Sequence, residues 1–135
     1  MTTVRPALLG WVVLGGAVGT AVRDLIEGAW PAAGGWPWAT LIINVSGAFA
    51  LGVLLEWLAA SGPDEGGRRT ARFALGTGLL GGYTTYSTFV VESVALAGDG
   101  RVGLALAYDA ASLAAGFVAA LVGMMLPRLA GRGAP

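Results

Sequence analysis

The chain has 135 residues, 56% of them hydrophobic and 12% charged, with a net charge of zero and no histidine, lysine or cysteine. Such a charge content, about half the roughly 25% of a globular domain, excludes an ordinary soluble protein and leaves a membrane protein. The balance of charge gives no attraction for nucleic acid, and the missing residue types remove histidine bases, Schiff-base lysines, thiol nucleophiles and thiolate metal sites.

Four apolar segments, at about residues 7–26, 39–60, 73–97 and 102–126, each have the length of a membrane-spanning helix. The sequence therefore predicts an all-α membrane protein, residues 1–135 forming a single four-span domain. The first span carries Gly15 and Gly19, a GxxxG pair that lets a neighbouring backbone approach closely. It ends in Arg23, Asp24 and Glu27. Arg23 stands four residues before Glu27, so it either forms an intrahelical ion pair at the membrane boundary or faces a polar vestibule that attracts anions.

Trp30, Trp36 and Trp38 in the following loop fit the aromatic belt where helices meet headgroups. The second span contains one conspicuous amide, Asn44, with Thr40 one turn earlier on the same helical face. Asn44 is either interhelical glue or a ligand for something that passes, since a buried amide must satisfy two donors and an acceptor. Glu56 and Trp57 read as boundary residues, and residues 61–72 form the longest hydrophilic connection.

The third span is the unusual one, because its middle is polar. It carries Gly76, Gly78, Gly81 and Gly82, then Thr84, Thr85, Ser87 and Thr88. A span with so few helix formers is expected to break, and it gives up helical hydrogen bonds only where protein, water or an ion replaces them. Its letters also spell GxGxxG, but without a preceding strand or a later acidic residue at the right distance this is no dinucleotide site. The fourth span carries Tyr108, Asp109 and Ser112, then a small-residue seam at Ala115, Ala119 and Gly123. Arg5, Arg68, Arg69, Arg72, Arg128 and Arg132 fall on one side of a four-span arrangement, against Arg23 and Arg101 on the other. By the positive-inside rule the termini face the cytoplasm.

What accumulates inside the membrane is a set of neutral donors: Thr40, Asn44, Thr84, Thr85, Ser87, Thr88, Tyr108 and Ser112. Tyr86 and Phe89, three residues apart, share a face, and ring edges carry positive charge. A pore lined by such groups, with no fixed charge at its middle, favours a small anion without trapping it.

Three stretches then resemble one known family. GGxxGTAVR in the first span, WPWATLIINVSGAFALG in the second and GGYTTYSTF in the third are similar to the small bacterial fluoride channels, the Fluc or CrcB family. The resemblance implies a fluoride-selective channel of the bacterial inner membrane, not an enzyme, which passively exports fluoride from the cytoplasm. It implies an antiparallel, dual-topology dimer of two four-helix subunits, with a structural sodium ion held by backbone carbonyls of Gly81 and Thr84 from both. Asn44 and Thr40 are then at the vestibule side of the pore and Arg23 at its mouth, with Tyr86 and Phe89 flanking the fluoride path. Thr85, Ser87 and Thr88 belong to the same motif, and Tyr108 and Ser112 to the polar track of the fourth span. Tyr86 stands where the family usually has Phe, Asp109 adds a carboxylate beside Tyr108, and the arginine distribution is uneven for dual topology, which leaves an inverted homologous partner chain open. Two rival readings are a small multidrug-type transporter and a non-transporting membrane assembly subunit. The first needs a carboxylate deep in the first span, where Asp24 and Glu27 lie only at its end; the second makes no use of Asn44.

Overall fold

A computed structural model describes residues 6–32 and 35–131; Arg5 and Arg132, both counted in the arginine distribution, lie outside the described residues. Among the described residues all regular structure is helical. The order is α1 (Pro6–Ala29), α2 (Trp38–Ala60), the short α3 (Gly66–Ala71), a π-helical segment (Arg72–Leu80), a single turn α4 (Gly81–Tyr83), α5 (Tyr86–Gly98) and α6 (Val102–Gly131). Three stretches, Pro6–Ala29, Trp38–Ala60 and Val102–Leu129, are long and apolar enough to cross a membrane as single helices.

The remaining apolar stretch is subdivided, for reasons that lie in its residues. Gly76 and Gly78 fall within the π-helical segment, and such wide turns are rare and concentrate at functional sites. After α4 the backbone leaves the helical region at Thr84 (φ −78°, ψ 155°) and Thr85 (φ −142°, ψ 123°). Helix α5 then restarts with Thr85 as its N-cap, whose hydroxyl accepts from the Thr88 N–H at 3.1 Å.

Packing follows the small residues. Helix α1 lies against the π-helical segment, and a Cβ at Gly15 would collide with the Ala74 carbonyl, one at Gly19 with the Leu79 carbonyl. The approach is mutual, since a Cβ at Gly78 would collide with the Val12 carbonyl, and one at Gly82, in α4, with the Gly16 carbonyl. Helices α2 and α6 repeat the device: Gly52 faces the Ala120 carbonyl and Gly123 of the small-residue seam faces the Phe49 carbonyl. Backbones this close gain dispersion over their whole length, which is what holds helices together where lipid is as apolar as the side chains.

The buried centre is correspondingly small. Leu96, Ala105 and Tyr108 form it, with Trp36, Leu41, Phe89 and Leu104 packed around. Large apolar side chains such as Leu25, Val91, Leu113 and Phe117 point outward. In water such a surface would drive aggregation, whereas in a bilayer it is the solvated one.

The hydrophilic connection is tied down by its own arginines. Arg72 donates to both carboxylate oxygens of Asp64, at 3.0 and 2.7 Å, and its guanidinium stacks over Phe73. Arg68 and Arg69 donate to the carbonyls of Pro63 and Asp64. At the far ends of α2 and α6, Arg128 clasps Glu56 with two contacts of 2.8 Å.

Candidate functional site

The site is built around the two extended residues. Leaving the helix strips Thr85 of its helical partners, and Asn44 on α2 replaces them: its Nδ2 donates to the Thr85 carbonyl at 2.9 Å, and its Oδ1 accepts the Thr85 N–H at 2.8 Å. The amide is therefore glue first, with its second Nδ2 hydrogen left over. Thr84 turns its hydroxyl back to the Leu80 carbonyl, and the Thr85 hydroxyl meets Ser87 and Thr88 at 3.2 and 3.0 Å.

These substitutions release two carbonyls. In a continuing helix the Thr85 N–H would serve Gly81 and the Thr88 N–H would serve Thr84, four residues back. One is taken by Asn44 and the other by the Thr85 hydroxyl.

Beside the break lies an open cleft of about 380 Å³, with Asn44, Thr85, Tyr86, Phe89, Ser112 and Gly81 on its wall. Among the described residues no charged side chain lines it. Tyr86 is 79% exposed at its lip, while the Ser112 hydroxyl is buried with no partner among the described residues.

Behind Phe89 the chemistry changes. Thr40 and Tyr108, both 0% exposed, donate to the two oxygens of Glu92 at 2.9 and 2.8 Å. The expected pore donors Thr40 and Tyr108 thus already have an acceptor. Glu92 is the residue of this cluster that the sequence reading did not single out; a carboxylate inside an apolar run was the available signal. Asp109 is held at one oxygen, which accepts from Ser93 at 3.0 Å; the other is buried with no partner among the described residues. Aromatic rings connect the two regions, with centroids 6.1 Å apart from Tyr86 to Phe89, 5.3 Å from Phe89 to Tyr108 and 5.7 Å from Tyr108 to Trp36.

Arg23 stands apart from the cleft. It donates to the Gly82 carbonyl at 3.3 Å, a carbonyl shared with Thr20, and pairs with Asp24 at 3.3 Å and Glu27 at 3.9 Å. The boundary ion pair is therefore present together with a clasp on the end of α4.

Such a fold defines a class: a small all-helical membrane protein with an uncharged, mostly apolar cleft in which a few polar groups gather around Thr84 and Thr85. The sequence profile described as "CrcB-like protein, Camphor Resistance (CrcB)" matches residues 10–124, and the chain belongs to that family. It is 50% identical over 119 residues to "Fluoride-specific ion channel FluC 1" of Cutibacterium acnes, covering 87% of this chain and 83% of that one. It is 50% identical over 115 residues to "Fluoride-specific ion channel FluC 2" of Leifsonia xyli subsp. xyli, covering 85% and 79%. A third relative, "Fluoride-specific ion channel FluC" of Novosphingobium aromaticivorans, is 38% identical over 122 residues, covering 87% and 94%.

Proposed function

We propose that this chain is a fluoride-selective channel, not an enzyme, that lets fluoride leave the cytoplasm passively across the bacterial inner membrane. The observation that carries the reading is the cleft itself: Asn44, Thr85 and Ser112 with the rings of Tyr86 and Phe89, and no charge among its lining residues. Fluoride is small and strongly hydrated, so a protein that conducts it must replace water with donors that do not hold it too tightly. Amide, hydroxyl and ring-edge hydrogens do this, whereas a lysine or arginine in the wall would trap the ion.

The two extended residues are the break of the third membrane span. The carbonyls of Gly81 and Thr84, each deprived of its helical donor, suit a hard cation, which takes oxygen ligands. Two carbonyls are too few for a sodium ion. A second copy, inserted in the inverted orientation, supplies two more, and the exposed Tyr86 and open cleft are what such a partner would cover. Bound there, sodium supplies charge that holds the two chains together; it is structural and is not transported. An inverted homologous chain would serve the same role.

The test is fluoride efflux from liposomes containing the purified protein, with chloride followed in parallel. Rapid fluoride loss that spares chloride, and that collapses in Phe89→Ile, is the expected result. Equal leakage of both ions refutes fluoride selectivity.

A further inference from the structure

The aromatic line from Tyr86 through Phe89 and Tyr108 reaches Trp36, in the connection between α1 and α2, and passes on to Trp38, centroids 5.9 Å apart. From its sequence Trp36 reads as a belt residue like Trp30, which is 57% exposed. In the fold it instead packs edge-on against Tyr108 at 86°, next to the buried core. Its indole Nε1 is buried and has no hydrogen-bond partner among the described residues.

An unpaired buried N–H is rare, and each one calls for an occupant or a function. Trp36 can only donate, so whatever meets it must be an acceptor. The carboxylate of Glu92, held by Thr40 and Tyr108, makes no bond to it. One helical turn from Tyr108, on the wall of the cleft, the Ser112 hydroxyl is also buried. The Trp36 indole is therefore a donor without a protein acceptor beside the rings that flank the channel.

We infer that the Trp36 indole N–H is a hydrogen-bond donor to the permeating fluoride, at the end of the path remote from the cleft. The assignment rests on the channel reading above. Fluoride is the strongest acceptor among the halides, small enough to sit against one N–H beside a ring edge. Phe at this position would keep the packing on Tyr108 and remove only the donor.

The experiment has two arms. In liposomes, Trp36→Phe is expected to slow fluoride efflux about tenfold, the worth of one hydrogen bond, while Trp57→Phe, an exposed indole at the opposite end of α2, conducts as the wild type does. In nitrogen-15 labelled wild-type protein, the indole resonance missing from Trp36→Phe is expected to move with added sodium fluoride and to stay in place with sodium chloride. Should the variant fold poorly, the same resonance is assigned in the wild-type protein through its bonds to the Trp36 backbone, so this arm needs no folded variant. Conduction by Trp36→Phe at the wild-type rate, or an indole resonance that ignores fluoride because only water occupies the site, overturns the inference and leaves the channel standing. A wild-type chain that passes no fluoride overturns both.

Discussion

The side chain of Asn44 and the backbone of Thr85 exchange two hydrogen bonds, 2.9 Å one way and 2.8 Å the other, so that one amide stands in for a helical turn. Asn44→Ala leaves a backbone N–H and a carbonyl unpaired in a water-poor interior, at about 1–3 kcal/mol each. The variant is expected to unfold several degrees lower in detergent and to lose fluoride efflux together with stability. Asn44→Asp keeps one of the two bonds and places a negative charge on the cleft; it is expected to fold better than the alanine variant and to conduct no better.

Glu92 tests a different part of the structure. A glutamine can accept from Thr40 or from Tyr108 but not from both, since one end of its amide is a donor. Glu92→Gln is expected to cost about 1–3 kcal/mol. A double-mutant cycle with Thr40→Val, read by thermal unfolding, is expected to show coupling, because the two residues share one hydrogen bond.

The contact between α1 and the π-helical segment is tested by methyl groups. Gly19→Ala pushes a Cβ into the Leu79 carbonyl, whereas Gly10→Ala meets open space. Overpacking costs about 1–3 kcal/mol, so the first variant is expected to lose thermal stability and the second to match the wild type.

Asp64 makes a prediction about acid. The hydrogen bonds from Arg72 hold its carboxyl below the ordinary value of 3.8. A depressed pKa in the folded state means that the stabilisation is complete above the unfolded value and is lost as pH falls through the folded one. The unfolding midpoint is therefore expected to be insensitive to this pair at neutral pH and to fall in the acid range below 3.8. Asp64→Asn is expected to flatten that part of the acid limb.

Much of the helical architecture was legible in the letters, because long apolar runs such as those of α2 and α6 allow little else. The close glycine contacts at Gly15 and Gly19 were also visible as a spacing, although their partner in the third stretch was not. Polar satisfaction was harder to foresee. Asn44 has equal chemical capacity for glue and for a ligand, and only the placement of Thr85 shows that its first duty is the backbone. Glu92 lies within the third apolar stretch, and its pairing with Thr40 and Tyr108 depends on two other helices, which the letters of its own stretch do not show. Trp36 differs from Trp30 only in which way the connection turns, and that is a property of the packed helices.

The arginines at 68, 69 and 72 have a consequence for biosynthesis. In the finished protein they are bound to Pro63 and Asp64, and much of their field is absorbed within the connection. The insertion machinery meets the same residues before those bonds exist, when three unattached guanidinium groups stand in a row of twelve residues. The charge pattern met during insertion is thus one that folding afterwards ties into hydrogen bonds, and the mature connection is a poor record of how it first presented itself to the bilayer.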